Sequence, residues 1–101
     1  MNTLKSKKEI EILFGKGKSV SNGNFLLKFI ESESTQFLFA VSAKKFPRAV
    51  DRNRIKRLMR EVVRKLEVES KTIAIVYNGT LVPNFDDVNN SVRNLIKKIW
   101  R

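Results

Sequence analysis

Between residues 52 and 67 the apolar side chains Ile55, Leu58, Met59, Val62 and Leu66 recur at i, i+3, i+4, i+7 and i+11. That is the spacing of one face of an α-helix, and a helix carrying such a stripe must bury it against another element. The stretches on either side are short, β-branched and aromatic: Gln36 to Ala43 before it and Thr72 to Tyr77 after it. A helix set between two strands of this kind packs on the sheet those strands form, and a strand–helix–strand order favours parallel neighbours. This one pattern therefore predicts a helix laid on a sheet.

The remaining segments extend the pattern. Ser6 to Glu9 fits a capping box, followed by Ile10, Leu13 and Phe14 at helical spacing and then by Gly15 and Gly17. This predicts a short helix over about 7–14. Val20 to Ile30 reads as a strand with Phe25, Leu27 and Phe29 on one side and Leu26, Lys28 and Ile30 on the other. Asn22-Gly23 is also a hairpin signal, which leaves the start of that strand open. Glu31 to Thr35 is a polar connection, and Gln36 to Ala43 is apolar on both faces, as in a central strand. Asp51 is the expected N-cap of the helix over about 52–67. Thr72 to Tyr77 reads as a buried strand and Asn78-Gly79 as a turn. Asn84 is the expected cap of a last helix, with Asp86 and Asp87 in its first turn, where the helix dipole favours acids. Phe85, Val88, Val92, Leu95, Ile96 and Ile99 form its apolar face. The expected order is α-β-β-α-β-α, an α+β chain built as an α/β sandwich, with residues 1–101 as one domain.

Cysteine and histidine are both absent. Disulfides, thiolate metal sites, Cys nucleophiles and His-based acid–base pairs are excluded with them. No apolar run is long enough to span a bilayer. The polar, basic residues 1–8 lack the apolar core of a secretory signal, so the expected location is cytoplasmic.

The formal net charge is +11. Residues 44–65 hold ten Lys or Arg against two acids, Asp51 and Glu61, and so carry +8 of that total. Such an excess attracts polyanions. On a helical wheel with Ile55 at zero and about 100° per residue, the apolar stripe falls within about 60° of Ile55. Asn53, Arg57, Arg60 and Arg64 fall between about 140° and 200°, with Arg54 and Lys56 on the flanks. One face would grip the core while the other aligns three arginines and an amide. The planar guanidinium donates two parallel hydrogen bonds to a phosphate and stacks on bases. An ordinary solvated face would intersperse acids to make i,i+4 pairs, and only Glu61 is available. An anionic membrane surface is the other polyanion to weigh, but the stripe lacks Trp and has the look of core.

The string from Lys44 to Glu61, KKFPRAVDRNRIKRLMRE, closely resembles the signature of the bacterial ribonuclease P protein component family: Lys-Lys-hydrophobe, Ala-Val, Arg-Asn-Arg-hydrophobe-Lys-Arg and then Arg-Glu. Phe14-Gly15-Lys16-Gly17-Lys18-Ser19 is similar to the family's Phe-x-x-Gly-x-Ser element. The last strand and helix are alike in pattern only. Four positions depart from the usual residues: Ile10 in place of Phe, Lys28 in place of Tyr, Pro47 in place of Gly and Ala43 in place of Ser.

The resemblance implies a fold like domain 2 of ribosomal protein S5, with a left-handed βαβ crossover against the usual handedness. It implies a protein subunit of an endoribonuclease, itself without catalytic residues, that binds ribonuclease P RNA and assists removal of the 5′ leader from precursor tRNA. The RNA-binding residues it implies are Lys44, Lys45, Arg48, Arg52, Asn53, Arg54, Lys56, Arg57, Arg60 and Arg64. A cleft between the first helix and the sheet would hold the leader near Ile10, Phe14 and Lys28, although Ile10 and Phe14 read equally well as core. Mg2+ would be held by the RNA partner, with no metal on the protein, no membrane and no obligate protein partner. Two other readings remain. One is a ribosomal-type structural RNA-binding protein with no part in cleavage. The other is a helix-turn-helix DNA regulator, which would need a second helix where strand-rich sequence stands.

Overall fold

A computed structural model describes residues 2–3, 15, 17–31, 35–66 and 71–99. The expected helix over 7–14, with Ile10 and Phe14, lies outside the described residues. The elements in chain order are β1 (Asn2–Thr3), β2 (Lys18–Asn22), β3 (Phe25–Glu31), β4 (Gln36–Val41), α1 (Ala49–Arg64), β5 (Lys71–Tyr77) and α2 (Phe85–Ile99). The five strands form one mixed sheet in the order β1-β4-β5-β3-β2. β4 and β5 are parallel neighbours joined through α1, whereas β3 runs antiparallel to both β5 and β2. The α+β class and the helix-on-sheet packing follow the expectation from the periodicity.

Three boundaries differ from the sequence reading. The segment Val20–Ile30 is not one strand. Asn22 pairs with Phe25, and Gly23-Asn24 turn the chain between them. Gly23 has φ +58, a left-handed conformation that glycine adopts without a Cβ clash. The hairpin signal therefore outweighed the alternating pattern that ran through it.

The second difference is the start of α1, which begins at Ala49 rather than 52. Asp51 is not its N-cap. Arg48 holds that place with extended backbone and no side-chain cap hydrogen bond, while Asp51 sits in the first turn. There the carboxylate faces the positive end of the helix dipole, a favourable site that does not require it to be the cap. The third difference is the end of the helix. The last turn tightens as Lys65 and Leu66 donate to Val62 O and Val63 O at 3.3 and 3.1 Å. Such i→i−3 bonds use carbonyls that a helix end would otherwise leave without a partner.

Registers place the core on one face of the sheet. Leu27, Ile75 and Phe39 align across β3, β5 and β4, as do Phe29, Ile73 and Phe37. Ile55, Met59, Val62 and Val63 of α1 and Val88, Val92, Leu95 and Ile96 of α2 close over this face. Val63 joins the buried stripe from its edge, a contribution absent from the periodic set. β5 is buried on both faces, with Ala74 in a second small cluster beside Ile30 and Leu38. Its uninterrupted apolar run fits the middle of the sheet. β4 lies one strand further out, covered on its far side by the two residues of β1.

Two local devices set the end of the chain. The Asp87 N–H donates to Asn84 Oδ1 at 2.8 Å, the capping bond the sequence predicts for α2. Tyr77 donates its hydroxyl to Leu81 O at 2.6 Å and is fitted so closely that a Cβ at Gly79 would overlap the phenol. Burial raises the Tyr77 pKa, and the nearby Asp87 charge adds to the shift. The hydroxyl therefore stays a donor well into alkaline solution.

Truncating Met59, which is fully buried, to Ala should cost about 2–5 kcal/mol of stability. Asn84→Ala should cost about 1 kcal/mol through the lost cap. Chemical denaturation measures both; a Met59→Ala change below that of Asn84→Ala would contradict the packing described here.

Candidate RNA-binding site

The stripe that seats α1 also sets its rotation. With Ile55 and Met59 fully buried, the residues half a turn away must face solvent. Asn53, Arg54, Arg57 and Arg64 are exposed, and Lys56 and Arg60 are half-buried at the sides. Among the described residues, Val50, Asn53, Arg54, Lys56, Arg57 and Arg60 line a shallow open depression of about 640 Å³ along the first three turns. Val50 lies within it, 66% exposed. An apolar patch ringed by guanidinium groups can take either a phosphate or the face of a base.

Electrostatically these cations are available. Among the described residues the ion pairs are Lys71–Glu31 at 2.6 Å, which links β5 to β3, and a loose Arg48–Asp51 contact at 4.0 Å. Arg54, Lys56, Arg57, Arg60 and Arg64 have no ion pair among the described residues. Arg60 is supported in another way: its guanidinium lies 5.7 Å from the centre of the Phe39 ring. A cation over an aromatic face is attracted to its π-electrons and keeps its hydrogen-bonding edge free. The sequence pattern did not reveal Phe39 as that support, because the pairing crosses from helix to strand.

The segment 42–48 that precedes α1 is folded against the end of β5. Phe46 is buried and packs on Tyr77 at 6.0 Å between ring centres. Lys45 Nζ donates to Asn78 O at 2.7 Å and to Asn78 Oδ1 at 2.9 Å. Arg52 Nη1 donates to Phe46 O at 2.8 Å and to Pro47 O at 2.9 Å. Lys44 and Arg48 point outward, exposed. The ten cationic and amide residues expected to meet RNA thus separate into two groups. Lys45 and Arg52 are engaged within the fold, while the other eight surround the outward face of α1 and its approach. A helical wheel carries the signal for Arg52, which falls about 60° from Ile55, on the core side. No sequence signal marks Asn78 as the partner of Lys45, 33 residues away.

Lys28 is not part of this surface. It projects from the opposite face of the sheet, beside Ala74 of β5 and Ser19 of β2. It is half-buried there, with the α1 arginines across the sheet. Its expected companions Ile10 and Phe14 lie outside the described residues, so the leader cleft stays an expectation. Among the described residues no group of three or more acidic side chains could hold a metal ion, and no helix is long and apolar enough to cross a membrane.

Known proteins fit this geometry. The family model for ribonuclease P matches residues 1–100. The ribonuclease P protein component of an Exiguobacterium species is 32% identical over 104 aligned residues, covering 97% of this chain and 91% of the relative. That of Acholeplasma laidlawii is 45% identical over 62 residues, 60% of this chain and 53% of the relative. In three dimensions the chain is similar to the RNase P protein of Staphylococcus aureus, with a TM-score of 0.87 at 24% identity, covering 99% of this chain and 96% of that one. The last likeness speaks for the fold alone. Taken with the family match along nearly the whole length, the arginine helix and the sheet beneath it show that this chain belongs to the ribonuclease P protein family.

Proposed function

We propose that the chain binds the catalytic RNA of ribonuclease P and the 5′ leader of precursor tRNA, assisting the endonucleolytic cut that leaves the mature tRNA 5′ end. The observation that carries this reading is the outward face of α1. Arg54, Arg57 and Arg64 are exposed and without ion pairs among the described residues, on a helix whose rotation is locked by buried Ile55 and Met59. With Arg60 between them, Arg57 and Arg64 complete an i, i+3, i+7 row that follows a phosphate chain over about 10 Å.

Folding RNA brings phosphates together, and the resulting repulsion is relieved by cations fixed in place. A rigid arginine row supplies them without ordering long side chains on a mobile backbone. The reaction is hydrolysis of one phosphodiester. Among the described residues no carboxylate cluster fits Mg2+, and in this reading the RNA holds the metal that supplies the cleaving chemistry. The protein's part is to neutralise phosphate, hold the RNA in one arrangement and extend contact to unpaired leader nucleotides, whose exposed bases suit a protein cleft. We place this work in the cytoplasm with the RNA, and the nucleolytic activity in the assembled ribonucleoprotein.

Reconstitution tests the reading. Protein, a bacterial ribonuclease P RNA and precursor tRNA are mixed at low Mg2+, where the RNA alone is slow. Faster cleavage with protein is expected; unchanged cleavage together with tight RNA binding would favour a structural RNA-binding role.

Arg57→Ala and Arg64→Ala should each weaken binding of the RNA subunit while shifting the unfolding temperature by no more than about 2–4 °C, because neither touches the core. The salt dependence of affinity should flatten by about one counterion per arginine removed. Titration of each variant over a salt series measures both, and an unchanged slope would remove that arginine from the contact.

A further inference from the structure

Two of the cations in the basic segment spend their hydrogen bonds on oxygens of their own chain. Arg52 leaves α1 on the core side, is half-buried, and bridges the carbonyls of Phe46 and Pro47 with a single guanidinium nitrogen. Lys45 reaches across to Asn78 and uses two of its three ammonium donors on the backbone and side-chain oxygens of that residue. Between these two latches Phe46 is inserted into the core, and its N–H donates to Ser42 O at 3.0 Å. The segment 42–48 is thereby fixed at three points: to β5, to the core and to α1. Lys45 is exposed along its length but has its ammonium tied to Asn78, so among the described residues the cations of the segment left without a side-chain hydrogen bond to the fold are Lys44 and Arg48, the latter with its side chain 75% exposed.

We propose that Lys45 and Arg52 are positioning residues of the RNA contact, which hold the 42–48 segment so that Lys44 and Arg48 meet phosphate beside the arginine row of α1. This rests on the RNA-binding reading above and assigns different work to residues within it. A loop that carries ligands must be ordered when it binds, and each ordered residue has an entropic cost. Latches formed in the free protein remove that cost from the binding step. Hydrogen bonds from a charged donor to backbone carbonyls are suited to the task, since they are among the stronger ones and do not depend on a second side chain being in place. Pro47 has no N–H to offer, so its carbonyl is the part of it that can be tied down. The latched cations act through Lys44 and Arg48, whereas Arg54, Arg57 and Arg64 act for themselves.

The two roles differ in how mutations combine. If Arg52 were an independent phosphate ligand, its removal would weaken RNA binding by the same factor whether or not Lys44 and Arg48 were present. As a latch, its effect passes through those two residues. The experiment measures affinity of the full chain for a bacterial ribonuclease P RNA in a mutant cycle. Arg52→Ala should weaken binding roughly tenfold in the parent chain and less than about twofold in a chain already carrying Lys44→Ala and Arg48→Ala. Equal factors in both backgrounds would overturn the assignment. Asn78→Ala gives a second measurement that leaves every cation in place. It removes one acceptor from Lys45 and should weaken RNA binding roughly threefold, an effect again lost without Lys44 and Arg48. Unchanged or tighter binding by Asn78→Ala would overturn the proposal, because a freed Lys45 would then be serving as a phosphate ligand. Failure of the parent chain to bind the RNA at all would instead sink the functional reading, and this assignment with it.

Discussion

The seating of α1 on the sheet governs the rest of the molecule. Ile55, Met59, Val62 and Val63 are buried against a face made by Phe37 and Phe39 of β4 and Ile73 and Ile75 of β5. Burying a side chain of this size contributes roughly 1.5–3 kcal/mol, so four of them outweigh the mutual repulsion of cations on the far side of the helix. An exposed ion pair would contribute about 0–1 kcal/mol and could not hold the rotation by itself. The apolar contact is therefore what allows the opposite face to remain unpaired and positively charged.

The basic residues around that contact are not equivalent, although a count of charge treats them so. Arg57 and Arg64 project freely, Arg60 lies over Phe39, and Arg52 and Lys45 bind carbonyl oxygens of their own chain. The difference follows from angle around the helix and distance from β5. Within the +8 carried by residues 44–65, part of the charge builds the surface and part of it is the surface.

Much of the architecture was legible beforehand. The i, i+3, i+4 stripe marked α1, the continuous run Thr72–Tyr77 marked a buried strand, and Asn84 marked the start of α2; all three stand in the structure, although the central place expected of Gln36–Ala43 belongs to β5. Errors gathered at ends and turns. Asp51 resembled a cap because acids suit both the cap and the first turn, and sequence does not separate those places by one residue. Val20–Ile30 looked like one strand because alternation continues through a hairpin when the two strands share a face. The outward arginines were legible because helical angle is a property of spacing alone.

Sequence by itself determined which helix face is apolar, which is cationic, and that the two are opposed, since both follow from 3.6 residues per turn. It also determined the family, through a long string of motif residues in fixed order. Only the tertiary structure decided which cations stay free. Lys45 meets Asn78 because β4 and β5 end side by side, and Arg52 meets the Phe46 and Pro47 carbonyls because Phe46 is drawn into the core. Contacts between residues distant along the chain, or between a side chain and a folded-back loop, arise from packing, and no local spacing encodes them.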